Sequence, residues 1–371
     1  MSERERNSLR RSIIKSHSLM KIIIRGTNWI GDAVMTIPAL RQLRRIFPDA
    51  QITLYTRPWA NGIFQDADFI DEILTIGPDD NVFEQAKKLR PHKFDLAVLL
   101  TNSFQTALVA KLGRIKMRFG YANEGRSVLL TDSVKIPEWK ARRHESFYYL
   151  NLIAEIERKF FMSETVLQSE PQLDLKVSEE RRAGARRILE AGGVNLSKKI
   201  VALGVGSTNS RAKRWQAASF AELNDRLQKE LKANVILIGA KDELDVSQEV
   251  FEKSKLKPKI LTGKTSLSEA VAVLSEIDLL VSNDMGLAHV APAVGTKTLV
   301  IFGPTNPLTT QPIGAEIIRR KDVECSPCML RDCPIDHRCM TRISAEEVFE
   351  KAKSILIEKK NKISRKAYDK E

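Results

Sequence analysis

The sequence predicts an α/β protein made of two doubly wound domains, each with a parallel sheet. Three observations carry this. Apolar runs and amphipathic stretches at helical spacing alternate from Lys21 onward, and the alternation restarts after a charged helical region. "FDLAVLLTN" is apolar almost without a break, as a strand buried on both faces would be. The 371 residues suffice for two cores of ordinary size.

The elements follow in order. "KIIIRG" is a strand, and the helix after it carries Ile37, Leu40, Leu43 and Phe47 on one face, with Pro38 near its start, where proline is tolerated or causes a kink. "AQITLYTRP" is a strand stopped by Pro58, "DEILTIG" is a short one, and "FDLAVLLTN" is the buried one. "SFQTALVAKLG" is a helix ended by Gly113, and "KMRFGY" returns to strand. Residues 145–192 are mostly helical and charged. Within them "SEPQLDLKVSEE" is a connection, which places a boundary near 170–180. "KKIVALGVGS", "ANVILIGA", "DLLVSND" and "KTLVIFG" are then strands. The helices between them are "SFAELNDRLQKEL", "SLSEAVAVLSEI" and "MGLAHVAPAVG". Ser219 with Glu222, and Ser266 with Glu269, fit the capping box and mark two helix starts. The resulting division is a basic extension 1–19, a first domain 20–175, a second domain 176–357 holding a cysteine-rich segment 325–340, and a basic tail 358–371.

Composition narrows the function. The net charge of +13 favours anionic partners: nucleotides, phosphorylated lipids or membrane surfaces. Aromatic content of 6% and the lack of aromatics interleaved with basic runs argue against nucleic acid. No apolar run approaches the roughly 18 residues of a membrane span. The first residues also lack the apolar segment and cleavage site of a signal peptide, so a cytoplasmic location is expected.

Loops at strand carboxyl ends should carry the chemistry. In "RGTNWIGD" two glycines permit a tight turn, but neither a G-x-G-x-x-G fingerprint nor a P-loop lysine is present. This counts against a dinucleotide oxidoreductase. Asp32 either caps the helix that follows or takes a proton from a hydroxyl. In "GVGSTNSRAKRW", Ser207, Thr208 and Ser210 precede Arg211, Lys213 and Arg214; the loop is either a phosphate site or a solvated basic turn. In "VSNDMGLAHVAPAVGT" a strand runs through Asp284 into a helix of small residues, whose start suits a diphosphate. His289 is either a core histidine or a ligand contact there. "FGPTNP" follows the next strand and lines the same cleft.

Cys325, Cys328, Cys333 and Cys339 fall in one segment with His337. They read equally as a structural zinc or iron–sulfur knuckle and as reduced thiols, with no catalytic role in either case. "DAD" at 66–68 reads as surface. Arg142, Arg143 and His144 precede a helix, as an anionic acceptor site or a solvated helix start.

"IIIRGTNWIGDAVMTIPALRQLRRIFPDAQITLYTRP" followed by "VSNDMGLAHVAPAVGTKTLVIFGPTNP" resembles the ADP-heptose:lipopolysaccharide heptosyltransferases, most of all the heptosyltransferase II type. "AKRW" also fits, the cysteine segment is similar to one in many members, and the basic extension is not part of the pattern. The resemblance covers roughly residues 20–355. It implies a GT-B architecture of two Rossmann-like domains facing across a cleft, acceptor on the first and ADP-heptose on the second. It further implies inverting transfer with no required metal or other cofactor. Asp32 matches the family's catalytic base, and Lys213 its contact to the donor diphosphate. Asp284, Met285, Gly286, Leu287 and His289 match the donor motif. Ser207, Thr208, Thr262 and Gly263 are further donor candidates, and Gly31, Asn102, Ser103, Arg142 and Arg143 lie on the acceptor side. The implied acceptor is a phosphorylated lipid A–core sugar, the first heptose, at the anionic inner leaflet of the cytoplasmic membrane. The alternatives are transfer to Kdo, a GT-B transferase of another nucleotide sugar, and a non-catalytic nucleotide- or polyanion-binding protein.

Overall fold

The computed structural model describes residues 20–168 and 170–357, so the basic extension and tail lie outside the described residues. The chain divides into two units. One runs through Ser178 and takes back Pro307–Ile313; the other runs from Glu179 without that segment. The division drawn from the sequence contained no such return of the chain.

The first unit holds a six-stranded parallel sheet: β1 (Lys21–Arg25), β2 (Gln51–Thr56), β3 (Glu72–Thr75), β4 (Leu96–Leu99), β5 (Met117–Tyr121) and β6 (Asp132–Val134). Its order is β3-β2-β1-β4-β5-β6. Ile22, Ile23 and Ile24 of β1 and all four residues of β4 are buried, as central strands covered on both faces must be. Ile22 pairs with Ile52 on one side and Leu96 on the other. The helix expected around Pro38 comes in two pieces, Ile30–Met35 and Ile37–Ile46. Proline lacks the N–H and clashes with the carbonyl of the preceding turn, so it starts a new helix instead of continuing the old one.

The second unit repeats the plan with β7 (Ile200–Gly204), β8 (Asn234–Leu237), β9 (Lys259–Ile260), β10 (Leu279–Asn283), β11 (Lys297–Phe302) and β12 (Glu316–Arg319), in the order β12-β11-β10-β7-β8-β9. Val201, Leu203, Val281, Leu299 and Ile301 form one core with Trp215, Phe220 and Phe349. The capping box expected at Ser219 does not form. The helix Ala217–Leu231 starts three residues earlier, after Gln216. Asn283 accepts the Trp215 N–H at 2.9 Å and pins the chain just upstream, which sets the earlier start. The box at Ser266 and Glu269 is present on the helix Leu267–Ser275.

In each unit the chain winds outward from one central strand and then returns to its other side. The reversal lies between β1 and β4 in the first unit and between β7 and β10 in the second. At such a point adjacent loops diverge and leave a crevice at the strand carboxyl ends. No helix among the described residues is long and apolar enough to cross a membrane.

Candidate functional site

In the second unit the β7 loop and the β10 loop meet at the reversal. Lys213 ends a short turn, Arg211–Lys213, and its Nζ lies 2.8 Å from the Asp284 carboxylate. The Asp284 side chain is 5% exposed and also accepts the Thr305 hydroxyl at 2.7 Å. Met285, extended, is the N-cap of the helix Gly286–Ala293, and no side chain caps that helix. Its first-turn N–H groups, on Gly286 and Leu287, therefore have no side-chain acceptor and face the reversal point with the positive end of the helix. His289 lies one turn in and is buried.

Asn283 holds the two loops together: its amide donates to the Val205 and Gly206 carbonyls at 2.8 and 3.2 Å while accepting from Trp215. Ser207 is buried, and its carbonyl accepts Arg214 Nη2 at 3.1 Å. Thr208 is exposed; Glu243 accepts the Ala240 N–H at 2.9 Å, and its carboxyl is held above the ordinary range mainly by burial. A methyl group on Gly206 would overlap the Glu243 carboxyl, so glycine is required at that approach. Thr262 is buried with its hydroxyl 2.7 Å from Ser247, and Gly263 turns with φ of 71° against Lys241. These two thus adjoin the loop cluster through the interior rather than through Lys213 and Asp284.

The cysteine segment is distant in sequence from these loops but braces them. Arg331 accepts the Ala212 N–H at 2.9 Å and the Ser210 hydroxyl at 3.1 Å through its carbonyl. His337 Nε2 donates to the Ala212 carbonyl at 2.5 Å, which fixes its tautomer. Ser326 donates to the Gly303 carbonyl at 2.7 Å. Cys339 is buried beside Gly303, Cys328 and Cys333 are half-buried, and Cys325 is exposed. Burial, then the other three cysteines, pushes the Cys339 thiol up to about 11. Among the described residues no three His, Cys, Asp or Glu side chains converge as a metal site requires.

In the first unit Gly31 and Asp32 are the second and third residues of the helix Ile30–Met35, whose N-cap is Trp29. Asp32 therefore does not occupy the capping position; it sits in the first turn, where the helix dipole favours an anion. The helix Glu145–Phe161 packs beside it. Glu145 titrates above the ordinary range, mainly from burial, with Asp32 adding to the rise and Lys140 opposing it. Tyr149, fully buried, is raised by burial and then by Asp32.

Asn102 donates to Tyr148 Oη at 3.1 Å and accepts from Arg126 at 3.3 Å. Ser103 caps the helix Phe104–Leu112. Arg142 is exposed, and the Arg143 guanidinium stacks 3.6 Å from the Phe147 ring centroid. His144 is neither solvated nor open to an acceptor. It is buried, accepts the Ser146 N–H through Nδ1 at 3.2 Å, and donates from Nε2 to the Gln311 carbonyl at 2.8 Å.

A sequence profile of glycosyltransferase family 9 (heptosyltransferase) matches residues 82–338. The chain belongs to this family. Lipooligosaccharide heptosyltransferase 2 of Campylobacter jejuni subsp. jejuni serotype O:2 is 29% identical over 346 residues, 91% of this chain and 98% of that protein. Lipopolysaccharide heptosyltransferase 2 of Escherichia coli K12 is 27% identical over 314 residues, 81% and 88% of the two chains. The solved E. coli ADP-heptose lps heptosyltransferase II superposes with a TM-score of 0.78 at 25% identity, covering 91% of this chain and 98% of that one. The family 9 transferase thus has the GT-B-like α/β architecture. Sequence reasoning missed Asn283, Thr305 as a partner of Asp284, and Glu243. Only "SND" and "GPTNP", at strand ends, carried any signal for them.

Proposed function

We propose that this glycosyltransferase moves heptose from ADP-heptose onto the lipopolysaccharide inner core, with the first heptose as acceptor. The observation that carries the reading is the Lys213–Asp284–Thr305 group beside an uncapped helix start, at the reversal point of the second unit. A leaving diphosphate needs a cation and N–H donors, and these elements supply both. Lys213 is held ready by Asp284 and is shared with, or passed to, the arriving phosphates.

On the first unit Asp32 serves the acceptor. Its carboxylate takes the proton from the acceptor hydroxyl as that oxygen attacks the anomeric carbon. The bond from that carbon to the diphosphate oxygen breaks, ADP leaves with the electron pair, and the anomeric centre inverts. Lys213 and the helix carry the developing charge, so the reading requires no divalent cation. Ser207, Thr208, Met285 and His289 line the donor side, with Thr262 and Gly263 behind them; Gly31, Asn102, Ser103, Arg142 and Arg143 belong to the acceptor side. The excess of basic residues draws the enzyme to the anionic inner leaflet as a peripheral protein, at about 1 kcal/mol per residue near the surface.

The test is incubation with ADP-heptose and two truncated cores, one ending in the first heptose and one in Kdo, with products read by mass spectrometry. Extension of the heptose-ended core is expected. Extension of the Kdo-ended core alone, or use of a UDP- or GDP-sugar in place of ADP-heptose, overturns the assignment.

A further inference from the structure

The first unit has its own charged crevice, whose two arginines have no role above. A cavity of about 90 Å³ opens where the ends of β1 and β2 meet the helix Phe104–Leu112, lined by Arg25, Asn28, Arg57, Gln85, Ser103 and Thr106. Its volume is well above what one ordered water requires. Arg25 is 9% exposed and donates to the Gly26 carbonyl and, at 3.0 Å, to Asn28. Its Nε is buried without a hydrogen-bond partner among the described residues, as is the hydroxyl of neighbouring Tyr55. A buried donor left unmade costs about 1–3 kcal/mol and points to an absent acceptor.

No carboxylate among the described residues pairs with Arg25 or Arg57. The nearby acid, Asp80, is taken by Lys88 at 2.6 Å and by the Gly77 N–H at 2.6 Å. Glu124 meets the first N–H of the helix from outside, at 3.3 Å, so the argument rests on the guanidiniums and not on the helix end. The Arg25 guanidinium is pushed down to about 10, first by burial and then by Arg57, with Tyr55 opposing. Two cations therefore face one polar cavity at a cost that an anion would remove.

We propose that this cavity is an oxyanion site that takes a phosphate monoester carried on the acceptor sugar. The choice of acceptor rests on the transferase reading above. A phosphate dianion matches two guanidiniums in charge and in bidentate geometry, whereas a carboxylate matches one. The site shares the segment Arg25–Asp32 with the proposed base, so a phosphate held there positions its own sugar beside Asp32.

The first arm of the test measures thermal stabilisation by inorganic phosphate against chloride at equal ionic strength. Wild type is expected to be stabilised by phosphate. Arg57→Gln, an exposed position that leaves the core intact, is expected to lose most of the shift, with affinity down about tenfold. Arg25→Gln gives a second reading once its folding is checked by circular dichroism. An absent phosphate shift in wild type, an equal shift in Arg57→Gln, or equal stabilisation by acetate overturns the site.

The second arm titrates core oligosaccharide with and without its phosphate by calorimetry, which needs no turnover. Arg57→Gln should weaken only the phosphorylated form, again about tenfold, and leave ADP-heptose binding unchanged. Equal weakening for both forms overturns the acceptor-phosphate assignment. Absence of transfer would sink the functional reading alone, because both arms measure binding.

Discussion

In the proposed mechanism Asp32 and Lys213 divide the chemistry between them. Asp32→Asn keeps the size and first-turn position of the side chain but removes the proton acceptor. Turnover should fall by about 10²–10⁴-fold, with ADP-heptose affinity within a factor of two by calorimetry. Near-wild-type turnover would return Asp32 to a purely structural role. Lys213→Ala should raise the donor KM and lower kcat, with kcat/KM down about 10²-fold. It also strands the Asp284 carboxylate, which is 5% exposed, so the melting temperature must be followed alongside. Unchanged kinetics would remove Lys213 from the diphosphate site. Both candidates were drawn from short motifs at strand ends. The pairing of Asp284 with Thr305 was not legible: neighbouring strands bring the two together, and no local pattern announces that.

Two elements carry their own predictions. The start of the helix Glu145–Phe161 depends on neutral His144, whose pKa burial holds below 6.5. A base depressed in the fold binds fewer protons there than in the unfolded chain. Its contribution is therefore complete above about pH 6.5 and is lost as pH falls from that value toward the folded pKa. His144→Gln should lower stability at pH 7.5 by about 1 kcal/mol. The wild-type loss across pH 6.5 to 5 should then be shallower in the variant by denaturant titration. A slope unchanged by the substitution would exclude His144 as its source. The cysteine segment braces the 210–213 turn and Gly303 through backbone bonds. Cys339, buried and pushed up to about 11, should alkylate with iodoacetamide at pH 8 much more slowly than exposed Cys325, by peptide mapping. Equal labelling would contradict the packing against Gly303. The spacing of the cysteines left metal and thiol readings open, because spacing says nothing of which way each thiol points.

At the scale of the whole molecule, two sheets with the same strand order present two crevices, one carrying a Lys–Asp pair and the other two arginines. A panel of ADP-, UDP- and GDP-sugars in a thermal-shift assay should stabilise the protein with the ADP-sugar by about 2.7 kcal/mol at a concentration of 100 Kd, and the others less. Equal shifts across the panel would point to a diphosphate site without base selectivity. The alternating pattern, the buried runs of β1 and β4, the box at Ser266 and the motif around Asp284 were all readable along the chain. Burial, spacing and capping act over windows of a few residues, and those windows are written contiguously. The early start at Ala217, the return of Pro307–Ile313 to the first unit and the meeting of Arg25 with Arg57 came only with the fold. Each depends on which strands become neighbours and on what a distant side chain pins in place. Strand order is a property of the assembled sheet, settled by the joint burial of segments far apart in sequence.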